Sequence, residues 1–434
     1  MKSAATLIAT MATVASADHY AVLVAGSNTY GNYRHHADVA HAYHVALKGG
    51  IPADNIIVMM FDDVVNDDEN PFPGQLFNQP TPAGTPGVDV YHGVKKDYTG
   101  KTVTAANFIS IITGDKEKMK NIGTGRVLES TSEDRVFINF VDHGGVGLIA
   151  FPKQPYLYKK DLQSALLKMH NTSMYKELVF YLEACESGSM FQHFDMEGLN
   201  MYVTTAANGK ESSWGTYCAP NDMVDGKTLN TCLGDLFSVN WMEDSDTHDT
   251  TKETLNVQYK RVKKLTNKSH VMQFGDVTDM GSEFVAEFIG NEDVNGTAVV
   301  AASFNADHNV GQFDSRDHEL DRFYHAYSRS DTVEDAERLM MEIHSRVQHR
   351  TNVERIVSDI TNGDNVKTKH LLHPETYYEP KLDQCQKKVD AAYDEYCGGY
   401  TDYSLKFVRV MVNLCETTNG DADRIVQAVA KACQ

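Results

Sequence analysis

The sequence contains no long cluster of lysine and arginine. Its 40 basic residues face 60 Asp and Glu, a formal net charge of -20, and a chain that cannot neutralise a run of phosphates is a poor partner for nucleic acid. Beyond residue 17 it also lacks any apolar run approaching the ~20 residues needed to cross a bilayer, so a soluble product with no membrane span is expected. Internal repeats and low-complexity tracts are missing, which argues against solenoids and disordered assemblies. Cysteine is scarce, seven in all, and the number is odd.

The chain opens with a leader. Lys2 precedes an apolar run from Ala4 to Val14, and the small residues Ala15, Ser16 and Ala17 precede Asp18. That is the layout of a secretory signal, with a mature chain beginning near Asp18. In an oxidising compartment seven cysteines predict three disulfides and one free thiol. Cys185 stands alone, Cys218 lies near Cys232, and Cys385, Cys397, Cys415 and Cys433 form a third group for which arithmetic permits three pairings. Sequons at Asn171, Asn267 and Asn295 agree with passage through the secretory route.

With 434 residues, 41% of them apolar, the chain can bury an enzyme-sized core and a second small domain. Short apolar runs at Tyr20–Ala25, Ile56–Phe61, Val136–Val141, Leu178–Leu182 and Met201–Thr205 predict buried strands. Helical spacing appears over Ala37–Leu47, Lys159–Met169, Leu233–Glu243 and Lys252–Leu265, and His270–Phe274 predicts an edge strand. Strands alternating with helices predict an α/β domain with a mainly parallel sheet covered on both faces. Asp62 to Gly100, rich in Pro, Gly and Asn, reads as loops. The expected organisation is a signal peptide over 1–17, a catalytic domain over 18–289, a polar linker or activation region over 290–331, and an all-α domain over 332–434. The helices of that last domain are expected at Val333–Asp359, Lys381–Tyr396, Tyr403–Leu414 and Ala422–Ala432.

Ligands of open parallel sheets sit beyond the carboxyl ends of the strands. Three segments fall there: the loop with Asn32, Arg34 and His35 after the first strand, Asp142-His143-Gly144 after the third, and Glu183 to Gly188 after the fourth. A thiol becomes a nucleophile when an imidazole or a helix N-terminus lowers its pKa. Cys185 is offered both, by His143 and by a helix expected to start near Ser187. The N–H groups of Gly144 and Cys185 are candidate oxyanion donors, and Asn32 can orient the imidazole. Each residue alone also fits a bland role, an inert buried thiol or a structural histidine.

The segments VAGSNTYGNYRHHADVAHAY (24–43), NPFPGQLFNQP (70–80), YTGKTVT (98–104), VDHGG (141–145), FYLEACESGSM (180–190), TTAANGKESSWGTYC (204–218), LGDLFSVNWMEDSD (233–246) and SHVMQFGD (269–276) together resemble the legumain family, the asparaginyl endopeptidases or vacuolar processing enzymes. The resemblance runs over nearly the whole chain. It implies a caspase-like α/β catalytic domain with Cys185 as nucleophile and His143 as acid or base, and an Asn-reading pocket made by Arg34, His35, Glu183, Ser213 and Asp235. It further implies a helical C-terminal prodomain that covers the site until acid and proteolysis release it, with pairings Cys385–Cys415 and Cys397–Cys433, and a lysosomal, vacuolar or secreted destination. Implied partners are Asn-containing protein and peptide substrates, the chain's own prodomain, and cystatin-like inhibitors; no cofactor or metal is expected. Lys367, Lys369, His370, Lys381, Lys387 and Lys388 make the prodomain locally basic, which suggests docking on an acidic partner surface. Family precursors are cut near the start of this region after Asn or Asp; here HAYSRSDTVED offers Asp331, while Asn305 and Asn309 lie earlier.

Two other chemistries compete. His35, His36, His41 and His44 cluster as in a metal hydrolase, but an H-E-x-x-H pattern and a suitably spaced carboxylate are lacking. A peptide ligase or cyclase would use the same Cys185 acyl-enzyme with an amine as acceptor. A non-catalytic binding protein or the related transamidase subunit fits poorly with an intact Cys/His pair and no membrane tail.

Overall fold

A computed structural model describes residues 17–290, 311–376 and 379–434. Residues 1–16 of the expected leader, Asn295, Asn305 and Asn309 lie outside the described residues. The central sheet has six strands: β1 (His19–Ala25), β2 (Ile56–Met60), β3 (Arg135–Val141), β4 (Glu177–Glu183), β5 (Met201–Thr205) and β6 (Met272–Gly275). They lie in the order β6-β5-β4-β3-β1-β2. The first five run parallel and β6 closes one edge antiparallel, as the edge-strand reading anticipated.

The apolar runs become strands because both faces are covered. Along β1, Ala21, Leu23 and Ala25 enter one core, shared with Tyr43 of α1 (Tyr33–Lys48) and Trp241 of α4 (Leu236–Thr247). Val22 and Val24 enter the opposite core, shared with α2 (Ala105–Ile112) and α3 (Lys159–Asn171). This period of two, apolar on both sides, marks a fully buried parallel strand. Phe137 of β3 meets Tyr181 and Trp241 edge to face, so truncating it would cost about 3–5 kcal/mol. α5 (Leu255–Leu265) carries the last helical pattern of this part.

Two differences from the sequence reading matter. α2 was not anticipated: its eight residues are too few and too apolar to show helical spacing. The stretch 290–331 is also not simply a linker. Phe313–Asp314 forms a short strand and α6 (His318–Ser328) a helix that buries only His318, Arg322 and Phe323, with the guanidinium groups of Arg322 and Arg346 packed on the Phe323 ring. Leu320, Phe323 and Ala326 pack with Leu339 and Ile343 of the next helix in a small apolar cluster, which the surrounding charged residues obscured in the sequence.

The C-terminal region packs α7 (Val333–Ile360), α8 (Asn365–Leu372), α9 (Asp383–Cys397), α10 (Val408–Thr417) and α11 (Ala422–Ala432) around their own core. Disulfides join Cys385 to Cys415 and Cys397 to Cys433, and a third joins Cys218 to Cys232. A separate apolar seam packs Leu405, Val408 and Val412 of this region on Val146, Leu148, Tyr156 and Tyr158. Among the described residues no helix is long and apolar enough to cross a membrane.

Candidate active site

Pairing of Ala25 with Val141, and of Val141 with Glu183, ends three neighbouring strands at one level. The loops leaving these strands therefore converge. The amide of Gly26 donates to Val141 O at 3.1 Å and that of Asp142 to Glu183 O at 3.0 Å, so the convergence continues past the strands. His143 and Cys185 stand two residues beyond the paired Val141 and Glu183. The two loops touch: a Cβ on Gly144 would lie 2.4 Å from Cys185 O, which explains glycine there.

His143 is buried and oriented. Its Nε2 lies 2.7 Å from Asn32 Oδ1 and 3.2 Å from Asp402 Oδ2. Both neighbours are acceptors, so Nε2 carries the proton. Nδ1, also buried, has no hydrogen-bond partner and is the nitrogen left to accept a proton. Cys185 is 1% exposed and is the free cysteine. Ser213 N donates to its sulfur at 3.3 Å, and Ser213 Oγ lies at 3.6 Å. Burial pushes the thiol up to about 11; Arg316 and Ser213 act against this, Glu186 and Asp314 with it. The expected helix near Ser187 is a single 3-10 turn, Ser187–Met190, too short for a substantial dipole effect. Burial thus favours the thiol over the thiolate in this closed chain.

Beside the sulfur lies a buried polar group. Arg34 enters from the first turn of α1, and its Nε donates to Asp235 Oδ1 at 2.8 Å. Asp235, just ahead of α4, is held by its own N–H on Asp38 Oδ2 at 3.1 Å. Glu183 Oε2 accepts from Ser238 N and Oγ, both at 3.0 Å. His35 binds Ser27 Oγ through Nδ1 at 2.7 Å, with Nε2 3.5 Å from Asp235 Oδ2. Burial, followed by Arg34's charge, holds the His35 ring well below the usual histidine range. Burial, with Asp235 adding, pushes Glu183 and Asp38 well above the usual carboxylate range. Three atoms here have no hydrogen-bond partner: Arg34 Nη2, Glu183 Oε1 and Asp235 Oδ2.

The four clustered histidines of α1 take separate partners rather than converging. His36 bonds Ser27 O, His41 bonds Asn78 and Asp246, and His44 bonds Val90 O.

Several contacts escaped the sequence reading. Trp214–Thr216 pairs on one side with Gly234–Asp235 and on the other with Phe313–Asp314, both antiparallel. The amide of Ser315 then donates to Ser213 O at 3.1 Å. Arg316, fully enclosed, donates to Gly144 O at 2.5 Å and to Glu186 Oε2 at 2.6 Å. Arg409 of α10 reaches Glu186 Oε1 at 3.2 Å, and Asp402 sits on His143 and Asn32. Only the CES triplet at 185–187 hinted at Glu186; Arg316, Asp402 and Arg409 carry no local pattern. The helical region is not a plain basic face on an acidic one either: Lys387 meets Asp161, but Lys388 pairs within its own region with Asp423, and Glu379 reverses the sense on Lys159.

Residues 19–291 match the Peptidase C13 family, and residues 337–433 match the family described as legumain, prodomain. A vacuolar-processing enzyme of Phaseolus vulgaris is 40% identical over 92% of this chain and 82% of its own length. A legumain of Canavalia ensiformis is 39% identical over 95% of this chain and 88% of its own. Among solved structures, caspase-1 of Spodoptera frugiperda aligns with 68% of this chain and 100% of that chain at a TM-score of 0.36 and 10% identity. With relatives this similar along most of both lengths, the chain belongs to the peptidase C13, or legumain, family and is a cysteine-type endopeptidase zymogen that carries its own prodomain.

Proposed function

We propose that the enzyme hydrolyses peptide bonds after asparagine, with Cys185 as nucleophile, His143 as base and then acid, and the amides of Gly144 and Cys185 as oxyanion donors. Asn32 holds the imidazole in the tautomer that leaves Nδ1 to take the thiol proton. The reading of asparagine is carried by one observation: the buried polar group around Arg34 holds one unpartnered donor, Arg34 Nη2, and two unpartnered acceptors, Glu183 Oε1 and Asp235 Oδ2. A primary amide offers one acceptor and two N–H donors, the complement of that set. Leu or Ala would leave all three atoms buried without partners, a penalty that rejects apolar side chains strongly.

In the closed chain, Ser315 lies beside Ser213 and Asp402 beside His143, so substrate entry requires both to withdraw. The exposed Asp331, between α6 and α7, is the bond we assign to activation by acid-driven self-cleavage. Exposed Asn171 and Asn267, together with three disulfides, support a secretory route ending in a vacuole or lysosome.

The test is a peptide series differing only before the cut bond. Acid-activated enzyme should cleave after Asn at pH 4 to 7. Ionised Asp would bring a further anion to Asp235 and should be refused at pH 7, while protonated Asp mimics the amide and should be cut near pH 4. Equal use of Asn and Leu, or an Asp/Asn ratio that does not change over this range, would overturn the proposal; Cys185→Ala is the control.

A further inference from the structure

The segment Phe313-Asp314-Ser315-Arg316 crosses the cleft as an added strand, the way an extended peptide docks on a sheet edge. Its direction is fixed by the pairs Phe313 with Gly215 and Asp314 with Trp214, followed by Ser315 N on Ser213 O. Ser213 is the residue whose amide and hydroxyl contact the Cys185 sulfur. The chain thus reaches the nucleophile at Ser315, and the next side chain, Arg316, lies beyond it. There the guanidinium bridges Gly144 O and Glu186 Oε2, at 2.5 and 2.6 Å. Arg316 and Glu186 are both almost fully buried, 3% and 4% exposed.

Both cations that hold Glu186, Arg316 and Arg409, belong to the part of the chain after residue 310. Release of the part after Asp331 withdraws Arg409, and a substrate that enters the cleft displaces residues 313–316 and with them Arg316. Glu186 is then a carboxylate next to the nucleophile, stripped of its counter-charges in a site built to enclose a guanidinium. A buried anion deprived of its cation is costly, so whatever restores one is favoured.

We propose that Glu186, with Gly144 O, forms a subsite for a basic side chain on the leaving-group side, so that the active enzyme prefers Arg or Lys immediately after the cut bond. Arg316 is the internal occupant of this subsite in the closed chain. The inference rests on the proposed cleavage after Asn only for the choice of peptides.

Its test uses the full chain activated at acid pH and three peptides that differ only after the cut bond: Asn-Arg, Asn-Ala and Asn-Glu. The ratio of kcat/KM for Asn-Arg over Asn-Ala should be about tenfold or more, with Asn-Glu below Asn-Ala, as for a close buried charge pair. In Glu186→Gln the ratio should collapse to within about twofold while Asn-Ala is still cut, an outcome that general damage near Cys185 would not produce. Equal cleavage of Asn-Arg and Asn-Ala by the unmutated enzyme overturns the inference without need of the variant, and so does a preference that survives Glu186→Gln. If cleavage occurs after a residue other than Asn, the asparagine reading fails, and the same three-way comparison made after that residue still decides the role of Glu186.

Discussion

Asp402 Oδ2 lies 3.2 Å from His143 Nε2, joining a residue of the prodomain to the imidazole of the catalytic domain. Burial alone would raise this carboxyl, but the charge of His143, the hydrogen bond to it and the nearby Arg34 hold it well below the usual carboxylate range. A carboxyl depressed by docking adds stability that is complete above its undocked pKa of about 4 and is lost as pH falls from there toward the depressed value. Glu186, raised by burial despite its two arginines, has the opposite sign and favours closure as acid is added. Asp402 therefore loosens the closed form as pH falls below about 4, against the opposite effect of Glu186. Asp402→Asn should weaken closure at pH 7 by about 1 kcal/mol, a modest figure because the side chain is about a third exposed and screened. Gel filtration of the cleaved complex at pH 7 and at pH 4 should show earlier release in the variant at pH 7 and a smaller difference between the two pH values.

Ser315 spares the segment in the cleft because a short hydroxyl cannot reach all three unpartnered atoms of the pocket. Ser315→Asn should turn the occupant into a substrate. N-terminal sequencing after incubation at acid pH should reveal a new terminus at Arg316, missing from the same variant combined with Cys185→Ala. An intact 315–316 bond in the single variant would count against the strand direction assigned to this segment.

The closed chain should resist thiol reagents. Burial pushes the thiol up to about 11, so the less reactive thiol form predominates at pH 7, and the sulfur is 1% exposed. Mass spectrometry after iodoacetamide should find Cys185 unmodified in the uncleaved chain and modified after acid activation. Equal labelling of the two forms would show that the cleft is already open.

Asn32 acts through His143 and is a positioning residue. Asn32→Ala should lower kcat by about ten- to a hundredfold, as a misplaced base does, with a smaller change in KM.

Much of the catalytic domain was legible because each central strand is a continuous apolar run: Met201–Thr205 agrees with the strand residue for residue, and Ile56 to Met60 nearly so. That His143 and Cys185 follow neighbouring strand ends was legible for a related reason, since the position after a buried parallel strand is where side chains meet a ligand. The four helices read in the C-terminal region also appear, although α8 was missed because only Leu371 of its eight residues is buried. The contacts that close the site were not legible. Asn32 and Asp402 are 370 residues apart, and Arg316 sits in a polar stretch where neither period of two nor of 3.6 appears. Ion pairs formed by folding distant segments together leave no local pattern.

The single unpaired sulfur has a further consequence for how such a chain matures. Six other cysteines must find their partners in an oxidising compartment, and a reactive seventh would attack those bonds as they form. Once the chain has folded, Cys185 is enclosed beneath residues 313–316 and withheld from exchange with the three finished crosslinks. The cover that suppresses proteolysis thus also guards the enzyme against scrambling itself.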